Sequence, residues 1–494
     1  MTSLSAIAGL SPANLWQRFY EISQIPRPSK KEERITAHFE QLFTSMGIPF
    51  SKDTVGNLVA RVPASKGYEN APIVILQGHS DMVCEKNRGT EHDFDRDPIY
   101  LVRDGEWIGA KGTTLGADNG IGVASALALL NDPSAVHGPL EILITIDEET
   151  GLTGANQISS DLLQGKYLLN LDSEEDGIFY IGCAGGLDST GTFKTETMAA
   201  PGSGYSAFSL RVAGLKGGHS GGDIHLGRAN AIKLLARTLN ALLPLSPYLY
   251  DIQGGSKRNA IPREAEVLLL VPDAALEEAR QVVGRCEQAF KNEFKATDGS
   301  VNLVLDPAEK PAVVYAPPFS DKIVKTLLGL PHGVVRMSTD LEDLVETSTN
   351  LATITSNAGS IVIGTNQRSS VDSAKQYIAS SVAAVLQLAG ASVARSDGYP
   401  GWQPNMQSRL LSICRKVATE LYGKEPEIKA IHAGLECGIL GGKYPGLDMI
   451  SFGPTITGAH SPDERVHIPA VEKFYDLLKR VLYALATDKS QGFA

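Results

Sequence analysis

Short apolar runs alternate with helical runs along the first part of the chain. Ile73 to Leu76, Leu140 to Ile146 and Leu168 to Leu171 have the length and composition of buried strands, and Ile121 to Leu130 is typical of a helix. Such alternation indicates a mainly parallel sheet with helices on both faces. A further strand-like run, Met449 to Phe452, predicts that the chain returns to this sheet near its end.

The middle of the chain has a different pattern, with two rounds of strands followed by helices. The predicted strands are Ser206 to Val212, Glu266 to Val271, Asn350 to Thr355 and Ser360 to Ile363, and the predicted helices are Ala229 to Leu243, Ala275 to Phe294 and Ser373 to Leu388. We interpret this region as an inserted α+β domain that ends in a turn-rich linker, Arg395 to Gly401. We therefore predict a catalytic domain in two parts, 1–186 and 400–494, interrupted by a domain at 187–399.

Acidic and histidine residues follow directly on the strands of the predicted parallel sheet. His79 and Asp81 follow the first strand, Glu148 and Glu149 the second, and Asp172 the third. Parallel strands end at the crevice where α/β sheets bind their ligands. We therefore expect these side chains to converge although they are far apart in sequence.

Two further candidates lie at the ends of predicted elements. His460 follows Met449 to Phe452 through a Gly/Thr loop, and Asp118 stands just before the helical run Ile121 to Leu130. The candidate metal ligands are thus the donors at positions 79, 118, 149, 172 and 460. Five oxygen or imidazole donors can hold two divalent ions. None of the five lies in the inserted domain, which supports an interrupted catalytic domain.

Each candidate also has an ordinary structural explanation. His79 could be a hydrogen-bonded core histidine, and Asp118 could cap its helix. In His79-Ser80-Asp81, however, the two outer residues face the same side of an extended segment, so Asp81 can orient the imidazole.

The acidic candidates have surface alternatives. Glu148 and Glu149 could be a solvated loop pair, although carboxylates at the end of an apolar strand are costly unless they are used. Asp172 is followed by further acidic residues and could belong to an acidic surface turn. Its place directly after a strand-like run favours the ligand role.

Composition limits the classes of function. The 494 residues are 43% hydrophobic and carry a formal net charge of −11, which opposes binding to nucleic acid or anionic membranes. No apolar stretch approaches the roughly 20 residues of a membrane span, and the first residues lack the features of a secretory signal, so we expect a cytoplasmic location. The five cysteines are scattered without a C-x-x-C pair, which leaves carboxylate and imidazole as metal ligands.

The joint pattern resembles the metal-site segments of the M20 metallopeptidases. The matching segments are, in order, His79-Ser80-Asp81-Met82-Val83, Gly116-Ala117-Asp118-Asn119-Gly120, Asp147-Glu148-Glu149, Leu171-Asp172-Ser173-Glu174 and His460-Ser461-Pro462-Asp463-Glu464. Two segments of the inserted domain resemble motifs of that family's lid domain, Gly217-Gly218-His219-Ser220-Gly221 and Asn259-Ala260-Ile261-Pro262. The long lid and the segment Asn366 to Ser370 look most like those of the family's broad-specificity dipeptidases.

The resemblance implies a fold and a metal centre. The fold would be α/β, a mainly parallel-sheet di-zinc catalytic domain interrupted by an inserted α+β lid domain. Asp118 would bridge two ions, with His79 and Asp172 completing one site and Glu149 and His460 the other. The expected cofactor is two divalent ions per chain, zinc first, although cobalt and manganese accept the same donors.

The resemblance also implies catalytic roles. Two adjacent divalent ions activate water and polarise a carbonyl oxygen, which suits amide hydrolysis. Glu148 would be the general base, Asp81 would orient His79, and His219 would stabilise the oxyanion from the lid. A glycine-flanked histidine in a turn, such as His219, could equally be structural.

The expected activity is metal-dependent hydrolysis of dipeptides with broad specificity, including Xaa-His dipeptides. Arg368, in the predicted polar turn Thr365 to Ser369, would bind the C-terminal carboxylate, because a guanidinium pairs both oxygens. It could instead be a solvated loop arginine. Asn259 would assist as a neutral donor, and Gly434 would allow close backbone approach from the catalytic side. The expected partners are dipeptide substrates, with no nucleic acid and no membrane, and a homodimer is compatible with the resemblance.

Two other functions stay open at this point. An N-acyl-amino-acid deacylase of the same fold would share every metal ligand and differ in the pocket for the amino end of the substrate. A non-catalytic binding protein that keeps the fold would lack a ligand or the base, whereas this sequence has all of them.

Overall fold

The computed structural model describes residues 3–488, which form two compact units. The first unit comprises residues 3–182, 404–430 and 435–488, and the second comprises 183–403 and 431–434. None of the helices within residues 3–488 combines the length and the hydrophobicity that a membrane span requires.

An eight-stranded sheet lies at the centre of the first unit. In spatial order its strands are Phe50–Lys52, Leu58–Val62, Leu140–Thr145, Val74–His79, Tyr167–Asn170, Asp448–Ser451, Ile178–Cys183 and Glu427–Ile431. The four middle strands, from Leu140–Thr145 to Asp448–Ser451, run parallel. The strands that flank these four, Leu58–Val62 and Ile178–Cys183, pair with them antiparallel. The predicted α/β class is confirmed. The strands that the candidate ligands end or follow are among the four parallel strands.

Helices and a smaller sheet complete the first unit. The α-helices are Ser3–Ala6, Ala13–Ser23, Glu33–Ser45, Ala117–Ala128, Glu148–Gly151, Thr153–Gln157, Arg409–Tyr422, Glu436–Lys443 and Ile468–Thr487. The smaller sheet contains Ile456–Thr457, Arg465–His467, Trp107–Ala110 and Leu101–Asp104. The helix Ala13–Ser23 buries Leu15, Phe19 and Ile22, whose helical spacing places them on one apolar face that packs against the rest of the unit.

A nine-stranded sheet lies at the centre of the second unit. Eight of its strands follow in the order Asn302–Pro307, Tyr205–Ala213, Ala265–Pro272, Tyr248–Gly254, Val345–Asn357, Ser360–Ser369, Gly185–Lys194 and Ser392–Arg395, and Gly333–Met337 also pairs with Val345–Asn357. Each of these pairings is antiparallel.

Four longer helices belong to the second unit, namely Ala231–Leu242, Leu276–Glu293, Pro317–Gly329 and Asp372–Leu388. Ala231–Leu242 buries Ile232, Leu235 and Leu239 in the core of this unit. Its first turn is capped by Asn230, whose side chain accepts a hydrogen bond from the backbone N–H of Lys233.

Two elements of the second unit differ from the prediction. The strand Ser360–Ser369 continues through residues predicted as a polar turn, because its polar side chains are paired inside the sheet. Gln367 donates to Thr365 at 2.8 Å and accepts from Ser189 at 2.8 Å. The segment predicted as a linker begins inside the edge strand Ser392–Arg395 and therefore starts as part of the large sheet.

Candidate active site

The parallel strands of the first unit place three candidate ligands at one edge of the sheet. His79 is the last residue of the buried strand Val74–His79 and pairs with Thr145, the last residue of the neighbouring strand. Glu149 lies in the short helix after that neighbour, and Asp172 lies two residues past Asn170 on the other side. The predicted convergence at the carboxyl ends of the strands is therefore present in the structure.

The carboxylate of Asp118 joins two pairs of side chains. Its Oδ1 lies 3.1 Å from His79 Nε2, and the same nitrogen lies 3.2 Å from Asp172 Oδ1. Its Oδ2 lies 3.2 Å from His460 Nε2, which in turn lies 3.0 Å from Glu149 Oε2. Asp118 thus belongs to two groups of three possible metal ligands, one through each of its oxygens.

Charge and unpaired atoms show that these residues fit divalent cations. Buried oxygens of Glu149 and Asp172 have no hydrogen-bond partner. Hydrogen bonds to Asp118 and Glu149 raise the pKa of His460 to about 11. Burial lowers the pKa of His79, but Asp172 and Asp118 outweigh it and hold that pKa well above its ordinary value. A cluster that binds protons this strongly has the donors and the negative charge that a pair of metal ions requires.

The segment that carries Asp118 is held by two buried charged residues. Asp118 and Asn119 have non-helical backbone angles, so the regular helix begins only after them. Glu464 accepts hydrogen bonds from the backbone N–H groups of residues 115–118 at 2.7 to 3.3 Å. Arg27 donates to the backbone carbonyls of Asp81 at 2.7 Å and of Gly116 at 2.5 Å. The Asp118 carboxylate faces the two histidines instead of capping its helix.

Asp81 connects His79 to the segment of Glu148 and Glu149. Its Oδ1 lies 3.3 Å from His79 Nδ1, although the ring N–H is not aligned for a hydrogen bond. Its two oxygens accept from the backbone N–H groups of Glu148 at 3.0 Å and Glu149 at 3.3 Å, and Ser29 donates to it at 2.7 Å. Burial opposes ionisation of Asp81, but the closeness of His79 and the hydrogen bond from Ser29 lower the pKa of Asp81 to about 2.

Glu148 differs from the other acidic residues of the site because its side chain is unpaired. Within residues 3–488 no hydrogen bond or ion pair engages its carboxylate. One of its oxygens nevertheless lies within 4.8 Å of a possible ligand atom of His79 and of Glu149. Burial raises the pKa of Glu148 well above its ordinary value, and the charge of His79 opposes that shift.

A buried polar chain runs beneath the candidate ligands. Glu436 accepts hydrogen bonds from Gln77 at 2.6 Å and Thr145 at 2.8 Å. Gln77 in turn accepts from Asn170 at 2.5 Å, and Asn170 accepts from Ser451 at 2.5 Å. Burial raises the pKa of Glu436 to about 7, against the opposing charge of His79.

The candidates in the second unit lie around Ser220. The backbone N–H of Ser220 donates to the carbonyl of Asn259 at 2.9 Å, and its hydroxyl accepts from Arg368 Nε at 3.3 Å. His219, the preceding residue, pairs with Ala260 in a short strand, so it is not simply a turn residue. A second contact of Arg368 reaches the hydroxyl of Tyr399 at 3.0 Å.

Gly434 also lies in the second unit, whereas the sequence predicts it on the catalytic side. The segment 431–434 belongs to the second unit, and the backbone N–H of Ala184 in that unit donates to the carbonyls of Ile431 and Ala433, each at 3.0 Å. A Cβ atom on Gly434 would lie 2.9 Å from the ring of Tyr399.

Arg368 is a buried cation rather than a solvated loop arginine. It lies in the strand Ser360–Ser369 and is 5% exposed. Among residues 3–488 no carboxylate lies within 4.0 Å of its guanidinium, so its partners are only the hydroxyls of Ser220 and Tyr399. Burial and the nearby Arg368 charge lower the pKa of His432 to about 3. The cluster therefore has a positive charge without an internal counter-ion.

Several residues of these clusters were not found from the sequence. Arg27 and Glu436 had no local signal, because they act on distant backbone and side-chain groups. Glu464 stood in the segment of His460 without an assigned role, and Tyr399 stood in the segment predicted as a linker.

Comparison with known proteins decides the family. The family described as Peptidase family M20/M25/M40 matches residues 75–484. The chain belongs to this family. Within the M20/M25/M40 family, it is 43% identical over 480 residues to the cytosol non-specific dipeptidase of Escherichia coli, covering 97% of this chain and 99% of that protein.

Solved structures agree with the family assignment. The aminoacylhistidine dipeptidase of Vibrio alginolyticus is 43% identical and matches with a TM-score of 0.90, covering 97% of this chain and 98% of that one. A tripeptidase from Staphylococcus aureus matches with a TM-score of 0.55 at 15% identity, covering 97% of this chain and all of that one, which shows a shared fold.

Proposed function

We propose that this chain is a two-metal dipeptidase of broad specificity, with Xaa-His dipeptides among its substrates. The observation that carries the proposal is the position of Asp118, whose two oxygens face two separate histidine and carboxylate pairs. The dipeptidases of Escherichia coli and Vibrio alginolyticus, each 43% identical over nearly the whole chain, support the substrate class. The name of the Escherichia coli protein also supports a cytosolic location.

Two metal ions would be held by five residues of the first unit. His79 and Asp172 would bind one ion, Glu149 and His460 the other, and Asp118 both. When bound, the ions would polarise the scissile carbonyl and activate water for attack. We propose zinc, which accepts imidazole and carboxylate donors in open sites, with cobalt or manganese as substitutes.

Glu148 is the proposed general base. Its carboxylate is unpaired in the described structure and lies beside the proposed ligands, so it can accept a proton from the attacking water and return it to the leaving amine. Asp81 is a positioning residue in this proposal, because it contacts His79 and holds the backbone of Glu148 and Glu149.

His219 is the proposed donor to the oxyanion. Its Nδ1 accepts hydrogen bonds from the backbone N–H groups of Gly221 at 3.2 Å and Gly222 at 3.0 Å. A neutral His219 therefore carries its proton on Nε2, where it is a hydrogen-bond donor. Burial and the charge of Arg368 lower the pKa of His219, which favours this neutral form.

Arg368 is the proposed site for the C-terminal carboxylate of the dipeptide. A buried guanidinium without a counter-ion is costly, and a substrate carboxylate would pair with it through two hydrogen bonds. Asn259 would add a neutral donor from its exposed side chain, and Gly434 would leave room for close backbone approach.

The substrate class is tested by assaying the metal-loaded protein on a matched set of dipeptides, tripeptides, dipeptide amides and N-acetyl amino acids. We expect dipeptides, including Xaa-His, to be hydrolysed best. Faster hydrolysis of N-acetyl amino acids would replace the proposal with a deacylase, and no hydrolysis of any amide would reject an enzyme of this class.

The role of Arg368 is tested with a dipeptide and its C-terminal amide. Wild-type protein should prefer the acid, and Arg368→Ala should lose most of that preference while keeping its metal content. Arg211→Ala, which changes a half-exposed arginine of the same unit, is the matched control. An unchanged preference in Arg368→Ala would mean that another residue binds the carboxylate.

A further inference from the structure

A glycine in the large sheet of the second unit, Gly186, allows Tyr399 to lie beside Arg368. Gly186 pairs with Arg368 on one side and with Tyr399 on the other. Directly paired residues of antiparallel strands project their side chains from the same face of a sheet. Because Gly186 has no side chain, the phenol of Tyr399 meets the guanidinium of Arg368 across it, at 3.0 Å between Oη and Nη1.

The position of the Tyr399 ring is closely defined. A Cβ atom on Gly186 would lie 2.7 Å from the ring and its hydroxyl, and one on Gly434 would lie 2.9 Å from the ring. The backbone N–H of Tyr399 donates to Gly186 at 2.9 Å, and its carbonyl accepts from Lys375 at 2.5 Å. The phenol therefore lies between two glycines, and its backbone is anchored at both polar groups.

The hydrogen bond with Arg368 determines what the Tyr399 hydroxyl can do. A guanidinium only donates, so the phenol oxygen accepts from Arg368 and keeps its own O–H as a donor. Within residues 3–488 this O–H has no acceptor, and the guanidinium beside it has no carboxylate. Two adjacent donors of this kind match the two oxygens of one carboxylate.

We propose that Tyr399 is a second residue that binds the substrate's C-terminal carboxylate, donating its phenol O–H to one oxygen while Arg368 pairs with the group. This inference rests on the proposed dipeptidase function. It makes Tyr399 a determinant of specificity for acids over amides, because the N–H₂ of a terminal amide would face donors instead of acceptors.

The test compares wild type, Tyr399→Phe, Arg368→Ala and the double variant on a dipeptide and its C-terminal amide. Tyr399→Phe keeps the ring between the two glycines and removes only the hydroxyl. We expect it to lower kcat/KM for the acid by about tenfold to a hundredfold, as for the loss of a hydrogen bond to a charged group, and to change the amide far less. Tyr377→Phe, at a 69% exposed tyrosine of the same unit, should match wild type.

The double variant separates direct binding from support of Arg368. If Tyr399 contacts the carboxylate, Tyr399→Phe should still lower kcat/KM for the dipeptide acid when it is added to Arg368→Ala. Should turnover there be too slow, binding of the dipeptide to the same variants carrying Glu148→Ala, measured by calorimetry, gives the same comparison. An effect that vanishes without Arg368, an equal loss for acid and amide, or wild-type kinetics in Tyr399→Phe would each overturn the inference. If wild type hydrolyses no dipeptide, the proposed function fails instead.

Discussion

The carboxylate of Glu464 accepts a hydrogen bond from the backbone N–H of Asp118 at 3.3 Å. The same buried carboxylate accepts from the three preceding N–H groups at 2.7 to 2.9 Å. Glu464 follows His460 by four residues, so one side chain connects the segments of two proposed ligands. Asp118 is thereby positioned by a residue that, within residues 3–488, makes no hydrogen bond or ion pair with either histidine.

We predict that Glu464→Gln weakens metal binding by about tenfold to a hundredfold, the range typical of groups that support metal ligands. The amide N–H₂ would face backbone donors and would release the segment of Asp118. Metal affinity is measured by competition with a chelator, and Glu472→Gln, at an exposed position of the helix Ile468–Thr487, is the control. Unchanged affinity in Glu464→Gln would show that the segment keeps its position without the carboxylate.

We predict opposite metal contents for two inactive variants. Glu148→Ala should lose orders of magnitude in kcat while it still binds about two ions per chain, because the proposed base is not a ligand. Asp118→Ala should lose activity and metal together, since both proposed sites use its carboxylate. Kinetics and elemental analysis of the same preparations decide the question. Normal turnover by Glu148→Ala, or two tightly bound ions in Asp118→Ala, would contradict this assignment of roles.

We predict that the stability difference between wild type and Glu436→Gln depends on pH. Burial raises the pKa of Glu436 from 4.5 to about 7 in the folded protein. Its stabilising contribution is therefore complete below about pH 4.5 and is lost as the pH rises through about 7. The amide introduced by Glu436→Gln does not ionise, so metal-free wild type should lose up to about 3 kcal/mol relative to this variant between pH 4.5 and pH 8. Urea unfolding at pH 5 and pH 8 measures this, and an equal difference at both pH values would refute it.

The sequence predicted the parts of the molecule whose signals are local. His79 and Asp172 follow apolar runs directly, so the ends of the strands could be recognised without knowing which strands pair. For the strand Ser360–Ser369 the sequence predicts only the apolar beginning, because the second half is polar. The partners of these polar side chains, such as Ser189, come from a strand that is distant in sequence.

The parts that were missed depend on register and tertiary contact. Tyr399 meets Arg368 only because Gly186 is paired with both of them, which no local pattern reveals. Glu464 and Arg27 bind backbone groups, and the backbone carries no sequence signal for its partner. These contacts can therefore be recognised only in the folded structure.

We predict that Gly434→Ala impairs dipeptide hydrolysis without affecting the metal ions. The new Cβ atom would lie 2.9 Å from the ring of Tyr399, closer than real Cβ contacts allow, so the ring or the segment 431–434 must move. Overpacking of this size costs about 1–3 kcal/mol, and here it would displace the phenol that contacts Arg368. We expect kcat/KM for dipeptides to fall by about tenfold or more, with metal content unchanged. Gly284→Ala, at a helical glycine of the same unit with open space around it, is the control and should match wild type. Wild-type kinetics in Gly434→Ala would contradict this prediction.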